Sequence, residues 1–328
     1  MRTIAVEEHF VTPEFTQYMR LLADIADPGR LEVGLRLLSD YTEERLPEMD
    51  AQGIDVAVLS LNAPGVQGEP DPAVAVSAAR LVNDFLATVV EGHPERFRGF
   101  AALPLQDPAA AVVELKRAVS ELGFCGALVN AQSSGVYLDD PSLRDLWGQA
   151  EELDVPIYLH PSKGGAVGHV LSGHPELVGP IWSWGVDSAS HCLRLIFGGV
   201  FDEFPNAKVL LGHMGEGLPY AMWRLDSRWE FQNQRGIELA RGKPSEYLRH
   251  NVFITTSGVC APAPLECAIA ELGADRILFA IDYPFEAMSE AKRFLDTAPI
   301  TEEDRASISH LNAERLLRLD PATVSPGR

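Results

Sequence analysis

Residues 99–131, GFAALPLQDPAAAVVELKRAVSELGFCGALVNA, contain one strand–helix–strand unit. The apolar runs Gly99–Leu105 and Gly126–Ala131 predict two strands that are buried on both faces, as in a parallel sheet. Between them, Asp107-Pro108 supplies a helix N-cap with a first-turn proline, and Gly123 closes the helix. The apolar residues of this helix recur at helical spacing: Val112, Leu115, Val119 and Leu122. The unit therefore predicts a parallel α/β architecture.

The same alternation extends along the whole chain, with further helices opened by Asp71-Pro72 and Asp140-Pro141. Eight strands are predicted: Thr3–Phe10, Asp55–Leu61, Gly99–Leu105, Gly126–Ala131, Pro156–Pro161, Lys208–Met214, Asn251–Ser257 and Ile277–Tyr283. This order predicts a single (β/α)8 TIM barrel over residues 1–328. No GxGxxG motif follows the first strand, which disfavours an open, doubly wound dinucleotide-binding sheet. We expect a last helix, at about residues 302–317, to cap the outside of the barrel.

Three connections are longer than a turn requires. They are predicted at Val11–Ser39, Asn62–Glu69 and Ser162–Val186, after the first, second and fifth strands. All three follow the carboxyl ends of strands, where barrel enzymes build their active sites. The sequence therefore predicts the functional site at that end of the barrel.

The composition is that of a globular protein with an acidic surface. The chain of 328 residues has 46% hydrophobic residues, and 27 Lys and Arg against 47 Asp and Glu give a net charge of −20. This excess of acid argues against nucleic acid or an anionic membrane as a partner. We expect no membrane span, no signal peptide and a cytoplasmic location. The four scattered cysteines, without a CxxC motif, predict neither a disulfide framework nor a cysteine zinc site.

Ionisable residues stand at the carboxyl tips of four apolar strands. Glu7 and His9 are two residues apart on the first strand, so they share a face while Glu8 points away. His160, His213 and Asp282 end the fifth, sixth and eighth strands. A single histidine at a strand end is usually a structural residue. The whole set, converging at one end of a barrel, favours a catalytic zinc or manganese site with an open coordination position.

Four motifs resemble those of a known family. They are ExH at 7–9, HP at 160–161, GHMGE at 212–216 and DYPFE at 282–286. Together they resemble the amidohydrolase-2 group of the amidohydrolase superfamily, which includes aminocarboxymuconate semialdehyde decarboxylase. The opening EEHF at 7–10 is most similar to its γ-resorcylate and 2,3-dihydroxybenzoate decarboxylases.

The resemblance implies that Glu7, His9, His160 and Asp282 bind one divalent metal, Zn²⁺ or Mn²⁺, with no organic cofactor. The fourth strand ends Leu128-Val129-Asn130 and has no lysine at its tip. A carbamylated lysine that bridges two metals is therefore not expected.

The resemblance also implies catalytic roles for Asp282, His213 and Glu216. Glu216 would fix the tautomer and direction of His213, because a helix turn that begins after the strand would bring residues three apart together. The alternative is that Glu216 is an acid favoured by the helix dipole.

Substrate contacts are predicted for Arg224, Asn130, Phe10 and Phe285. By resemblance, Arg224 holds the substrate carboxylate, with Arg228 as an alternative; a surface ion pair with Asp226 or Glu230 is the competing interpretation of Arg224. Asn130 could bind a ring hydroxyl or begin a turn. Phe10 and Phe285 could flank an aromatic ring or belong to the core.

The function implied is metal-dependent, non-oxidative decarboxylation of a hydroxybenzoate-type aromatic acid, with Asp282 protonating the ring carbon and CO₂ leaving. The alternative is a hydrolase in which Asp282 deprotonates a metal-bound water that attacks an ester, lactone or amide. A third possibility is a binding protein that has lost activity. By resemblance, the expected partners are a small aromatic carboxylate and further copies of the chain in a homodimer or homotetramer.

Overall fold

The computed structural model describes residues 1–15, 28–162, 169–236 and 240–319. Its strands are β1 (Ile4–Phe10), β2 (Val56–Leu61), β3 (Phe97–Gly99), β4 (Ala101–Ala102), β5 (Ala127–Asn130), β6 (Pro156–His160), β7 (Lys208–Leu211), β8 (Val252–Thr255) and β9 (Ile277–Leu278). Consecutive strands pair in parallel, except that β3 and β4 follow each other with only Phe100 between them. Because β3 and β4 together form the third strand, the barrel has eight strands.

Backbone hydrogen bonds close this sheet into a ring. Phe100 N donates to Leu59 O at 2.9 Å and links the two hydrogen-bonded sheets. At the other junction, Val6 N donates to Phe279 O at 3.2 Å and His9 N donates to Tyr283 O at 2.8 Å. The structure therefore confirms the predicted (β/α)8 barrel.

Several predicted strand ends were wrong. The eighth strand was predicted to reach Tyr283 but its regular part ends at Leu278, and the sixth ends at Leu211 rather than Met214. At these places the backbone leaves the extended region, since Asp282 has φ 78° and Met214 has φ 57°. The residues that matter for the site therefore lie just beyond the regular ladder.

The helices, numbered here along the chain, surround the barrel. They are α1 (Pro28–Leu38), α2 (Arg45–Gln52), α3 (Pro72–Gly92), α4 (Pro108–Ser120), α5 (Arg144–Leu153), α6 (Ser183–Phe197), α7 (Val200–Glu203), α8 (Leu218–Gln234), α9 (Pro244–Asn251), α10 (Pro262–Leu272), α11 (Met288–Thr297), α12 (Glu302–Ala306) and α13 (Asn312–Leu317). Aspartates begin α3 and α4 as predicted. The Asp71 side chain accepts from Ala73 N at 2.9 Å, and the Asp107 side chain accepts from Ala110 N at 3.1 Å.

The long connections contain more regular structure than predicted. Helix α1 lies inside the connection Val11–Ser39, and a 3-10 turn occupies Gly65–Gly68. The connection Ser162–Val186 ends inside α6, which begins at Ser183. Residues 16–27 and 163–168 of these connections lie outside the described residues.

By length and composition alone, α3 could span a membrane, contrary to the expectation from sequence. Its inner face contacts the barrel, since Asn83 Nδ2 donates to Ala102 O at 3.0 Å and Asn83 Oδ1 accepts from Ala102 N at 2.9 Å. Ala79 and Leu86 on the same face are fully buried. These contacts place α3 in the ring of helices around the sheet.

The buried apolar residues form two layers, one between the sheet and the helices and one inside the barrel. The inner layer includes Ile4 and Val56, the first residues of β1 and β2, and also Leu316 and Leu317 of α13. The final part of the predicted helix, α13, therefore packs against the interior at the amino end of the barrel, whereas Ile308 in the middle of that helix belongs to the outer layer. Because α13 covers the amino end, the opening of the barrel lies at its carboxyl end, where the polar residues are.

Candidate metal centre

The four predicted metal ligands come together at the carboxyl end of the barrel. One side-chain nitrogen or oxygen from each of Glu7, His9, His160 and Asp282 lies within 4.8 Å of the other three. Glu7 and His9 are fully buried, His160 is 7% exposed, and the Asp282 side chain is 15% exposed. The cluster is therefore almost closed, with access on the side of Asp282.

A bulge in β1 shapes this arrangement. Ala5 pairs with Ala57, but Glu8 pairs with Leu59, so β1 contains one residue more than its partner over this stretch. Glu7 and His9 both reach the ligand cluster, as predicted. Glu8 turns to the other side, where its Oε1 accepts from Ile281 N at 3.1 Å.

Both candidate histidine ligands are oriented through Nδ1. His160 Nδ1 lies 2.9 Å from Asn130 Oδ1, and His9 Nδ1 lies 3.4 Å from Ser60 Oγ. Each Nε2 therefore points to the centre, where His9 Nε2 is 3.1 Å from Asp282 Oδ1. Partners of this kind fix the ring orientation of metal-binding histidines. Asn130 thus orients a candidate ligand, while its contact with a ring hydroxyl stays a prediction.

The Glu7 carboxylate is held by hydroxyl groups on one oxygen only. Its Oε2 accepts hydrogen bonds from Tyr158 Oη and, at 3.2 Å, from Thr255 Oγ1. Gly212 packs directly over this group, because a Cβ there would stand 3.2 Å from both Glu7 Oε2 and Tyr158 Oη. Burial raises the pKa of Glu7, and the nearby His213 opposes that rise.

The pattern of unsatisfied atoms fits a cation. Glu7 Oε1, His9 Nε2 and Asp282 Oδ1 are buried and have no hydrogen-bond partner among the described residues. Such atoms are costly unless something else satisfies them, and these three face one another. Two carboxylates and two imidazoles form a donor set that suits zinc or manganese. The residues present therefore fit a divalent metal ion.

His213 and Glu216 form the predicted pair, but not through a helical turn. His213 Nδ1 lies 2.8 Å from Glu216 Oε1, and His213 Nε2 lies 3.6 Å from Asp282 Oδ2. Residues 213–217 all have positive φ, between 49° and 78°, and α8 begins only at Leu218. The pair therefore comes from a tight left-handed turn. Glu216 lies two residues before α8, where its carboxylate holds His213, and the alternative of an acid favoured by the helix dipole stays a prediction.

The charges around Asp282 set the protonation states. Burial alone would raise the pKa of Asp282, but the His213 and His9 imidazoles outweigh it and hold that pKa well below its usual range. Burial lowers the pKa of His213, whereas the carboxylates of Glu7, Asp282 and Glu216 reverse this and raise it well above its usual value. The pKa of His160 lies well below its usual value because of burial and the neighbouring His9. His160 is thus neutral, as a metal ligand must be.

The predicted substrate residues fall in different places. Phe285 is 54% exposed, with its ring centroid 5.9 Å from that of His9, so it lies at the rim of the cluster and outside the core. Phe10 is fully buried in the outer layer of the core, 6.3 Å from the ring of Tyr41. The proposed contact of Phe10 with substrate was wrong, because Phe10 follows His9 and points to the opposite face.

Arg224 is exposed on α8. It forms no ion pair with Asp226 or Glu230; Asp226 instead accepts from Ser245 Oγ at 2.6 Å. The competing interpretation of Arg224 as a partner of those acids was therefore wrong. Arg228 is also exposed and lies 5.2 Å from the ring of Phe231. Substrate binding by either arginine stays a prediction.

Sequence reasoning missed the residues that support the ligands, namely Tyr158, Ser60, Thr255 and Gly212. A signal for Tyr158 was present, since it precedes His160 by two residues and must therefore share its face.

The chain belongs to the amidohydrolase family, whose model matches residues 9–319. It is 46% identical to the γ-resorcylate decarboxylase of Rhizobium sp. (strain MTP-10005) over 97% of this chain and 99% of that protein. A crystal structure of 2,6-dihydroxybenzoate decarboxylase complexed with 2,6-dihydroxybenzoate superimposes with a TM-score of 0.92 at 44% identity, covering 97% of this chain and 100% of that chain. A dihydroxybenzoic acid decarboxylase from Polaromonas sp. JS666, with bound manganese and the inhibitor 2-nitroresorcinol, gives a TM-score of 0.90 at 42% identity and covers 98% of both chains.

Proposed function

We propose that this protein is a metal-dependent, non-oxidative decarboxylase that releases CO₂ from a hydroxybenzoate, with 2,6-dihydroxybenzoate as the first candidate substrate. The observation that carries the proposal is the convergence of Glu7, His9, His160 and Asp282 on one point, in a chain that matches such decarboxylases over almost its whole length. Manganese is the proposed ion because a relative holds it, and zinc suits the same ligands.

A divalent metal held by Glu7, His9, His160 and Asp282 would supply positive charge that stabilises an anionic aromatic substrate. Because its pKa is low, Asp282 is ionised before the substrate binds. It therefore takes its proton from the phenol group of the substrate as the substrate binds. Asp282 then delivers this proton to the ring carbon that bears the carboxylate. The carbon–carbon bond breaks, CO₂ leaves, and the bonding electrons restore the aromatic ring, so no organic cofactor is needed.

His213 and Phe285 complete the proposed site. Glu216 holds His213 Nδ1, so that His213 Nε2 points to the same space as Asp282 and can donate to a substrate oxygen. Phe285 lies at the rim, where its ring can flank an aromatic substrate.

The test is product analysis with manganese-loaded protein. Incubation with 2,6-dihydroxybenzoate, 2,3-dihydroxybenzoate and 5-carboxyvanillate is followed by chromatography and CO₂ measurement, beside a panel of aryl esters, lactones and anilides. We expect equal amounts of CO₂ and phenol from at least one hydroxybenzoate. Turnover of an ester, lactone or anilide without any CO₂ release would instead establish the hydrolase alternative.

We also propose that the protein is a homodimer or homotetramer. Tyr220 and Trp223 of α8 are 88% and 77% exposed, and Trp182 near the start of α6 is 58% exposed. The start of α6 lies beside the turn that precedes α8, since a Cβ at Gly185 of α6 would stand 2.8 Å from Glu216 Oε2. Exposed aromatic groups of this kind mark association surfaces. Light scattering is expected to give a dimer or tetramer that Trp223→Ser weakens; a monomeric wild-type protein would contradict this.

A cytoplasmic location is proposed as well. It is supported by the four cysteines, Cys125, Cys192, Cys260 and Cys267, all of which are free thiols. Fractionation of cells that express the protein is expected to place it with cytoplasmic markers, and recovery outside the cytoplasm would contradict the proposal.

A further inference from the structure

Arg45, the first residue of α2, is a fully buried arginine. Its guanidinium forms no ion pair with a described carboxylate, although the charges of Glu8 and Asp40 act on it from nearby. Its Nη2 instead donates to two backbone oxygens, His9 O at 2.6 Å and Leu37 O at 3.4 Å. Burying a guanidinium is costly, and burial lowers the pKa of Arg45. The cost of burying this guanidinium indicates that Arg45 has a structural role at its contacts.

The contacts of Arg45 lead to two of the candidate metal ligands. One is the carbonyl oxygen of His9 itself. The other is the ring of Tyr283, whose centroid lies 4.7 Å from the guanidinium carbon and which directly follows Asp282 in the chain. His9 N also donates to Tyr283 O at 2.8 Å. Arg45 therefore touches both sides of the junction between the first and last barrel strands.

Backbone hydrogen bonds hold this junction from within the barrel, since Asp282 N donates to Glu7 O at 2.9 Å, and Arg45 holds it from outside the sheet. The regular part of β9 ends at Leu278, so Asp282 is held beyond the ladder, with φ 78°. Arg45 is itself fixed, because its backbone N donates to Asp40 Oδ2 at 2.8 Å. Asp40 also accepts from Glu43 N at 3.1 Å and Glu44 N at 3.0 Å, which anchors the start of α2.

We infer that Arg45 is a positioning residue that holds His9 and Asp282 at the separation the metal requires. It acts through the His9 carbonyl and the Tyr283 ring, and it does not contact the substrate. A planar guanidinium can lie over a ring and donate in its own plane at once, whereas the compact ammonium of a lysine cannot satisfy both contacts. The inference rests on the proposed metal-dependent function.

Arg45→Lys and Arg45→Met test it against a matched control. Arg117 of α4 is a second buried arginine, which donates to Glu114 Oε1 at 2.7 Å and Oε2 at 2.9 Å in the outer layer. Arg117→Met thus removes a buried guanidinium that contacts no ligand. Manganese affinity of the metal-free proteins is measured by chelator competition, and the visible spectrum of the cobalt-loaded proteins reports ligand geometry.

We expect manganese to bind about 10–100-fold more weakly to Arg45→Met, with Arg45→Lys intermediate and both cobalt spectra altered. Arg117→Met is expected to lose folding stability but to keep wild-type affinity and spectrum. If Arg45→Met does not fold, the test is made with Arg45→Lys. Wild-type manganese affinity and a wild-type cobalt spectrum in a folded Arg45 variant would overturn this inference and leave the proposed function standing. A wild-type protein that binds no divalent metal would overturn the proposed function with it.

Discussion

Removing the Tyr158 hydroxyl should weaken metal binding, because that hydroxyl donates to the oxygen of Glu7 that faces away from the cluster. In Tyr158→Phe, Glu7 Oε2 keeps only Thr255 Oγ1, at 3.2 Å. The carboxylate then loses one of the two groups that hold it, and its free Oε1 is no longer fixed toward the other ligands. The ring and its packing remain, so the change is confined to the hydroxyl, which also shares a hydrogen bond with Thr255 Oγ1 at 2.9 Å.

The expected magnitude follows from the charge of the acceptor. A hydrogen bond to a buried charged group contributes about 1.5–3 kcal/mol. Since about 1.4 kcal/mol corresponds to a tenfold change in a dissociation constant, we expect manganese to bind roughly 10–100-fold more weakly. The same range is found when groups that orient metal ligands are removed.

The assay is competition between the metal-free protein and a fluorescent manganese chelator. Tyr247→Phe is the matched control, because Tyr247 Oη donates to the Asp202 carboxylate on the outside of the barrel. It removes a hydrogen bond of the same chemistry far from the ligands. If Tyr158→Phe and Tyr247→Phe both bind manganese as the wild-type protein does, then the hydroxyl does not position Glu7 and the reasoning is refuted.

Three further outcomes are expected. Asp282→Asn should lower CO₂ release at least about 100-fold at equal metal content, since it removes the proposed acid; a wild-type rate would contradict that role. Removal of metal by a chelator should abolish turnover and lower the melting temperature, and manganese should restore both; a chelated protein that stays active would contradict metal dependence. Burial and Arg194 lower the pKa of His191 to about 3, whereas the unfolded chain binds that proton near pH 6.5. Stability is therefore lost as pH falls below about 6.5, by about 1.4 kcal/mol per unit. Urea unfolding of His191→Gln should show a correspondingly shallower loss between pH 6.5 and 5, and an unchanged slope would contradict this assignment.

The sequence predicted the barrel and the ligand cluster because both depend on topology. In a parallel barrel, the carboxyl ends of all strands meet at one rim. Glu7, His160 and Asp282 therefore come together even though the exact last residue of each strand was predicted wrongly in places. The period of two on β1 likewise placed Glu7 and His9 together. These inferences needed only the strand order and the alternation of side chains.

What the sequence did not predict depends on local backbone conformation and on contacts between distant segments. The left-handed turn at 213–217 contains three non-glycine residues in a conformation that propensity does not favour. Arg45 and Tyr158 contact the ligand strands from 36 and 151 positions away in the chain. Phe10 was assigned to substrate on residue type, although alternation from His9 already placed it in the outer core.

The bulge in β1 has a consequence for how the chain tolerates change near its start. Glu7, Glu8 and His9 face alternately inward, outward and inward only while the extra residue is kept. A deletion of one residue at the bulge, between Ala5 and Glu8, would turn Glu8 toward the cluster and turn both Glu7 and His9 away from it. Only the native register of β1 brings both ligands to the metal. Metal binding therefore stabilises this register relative to registers that are shifted by one residue.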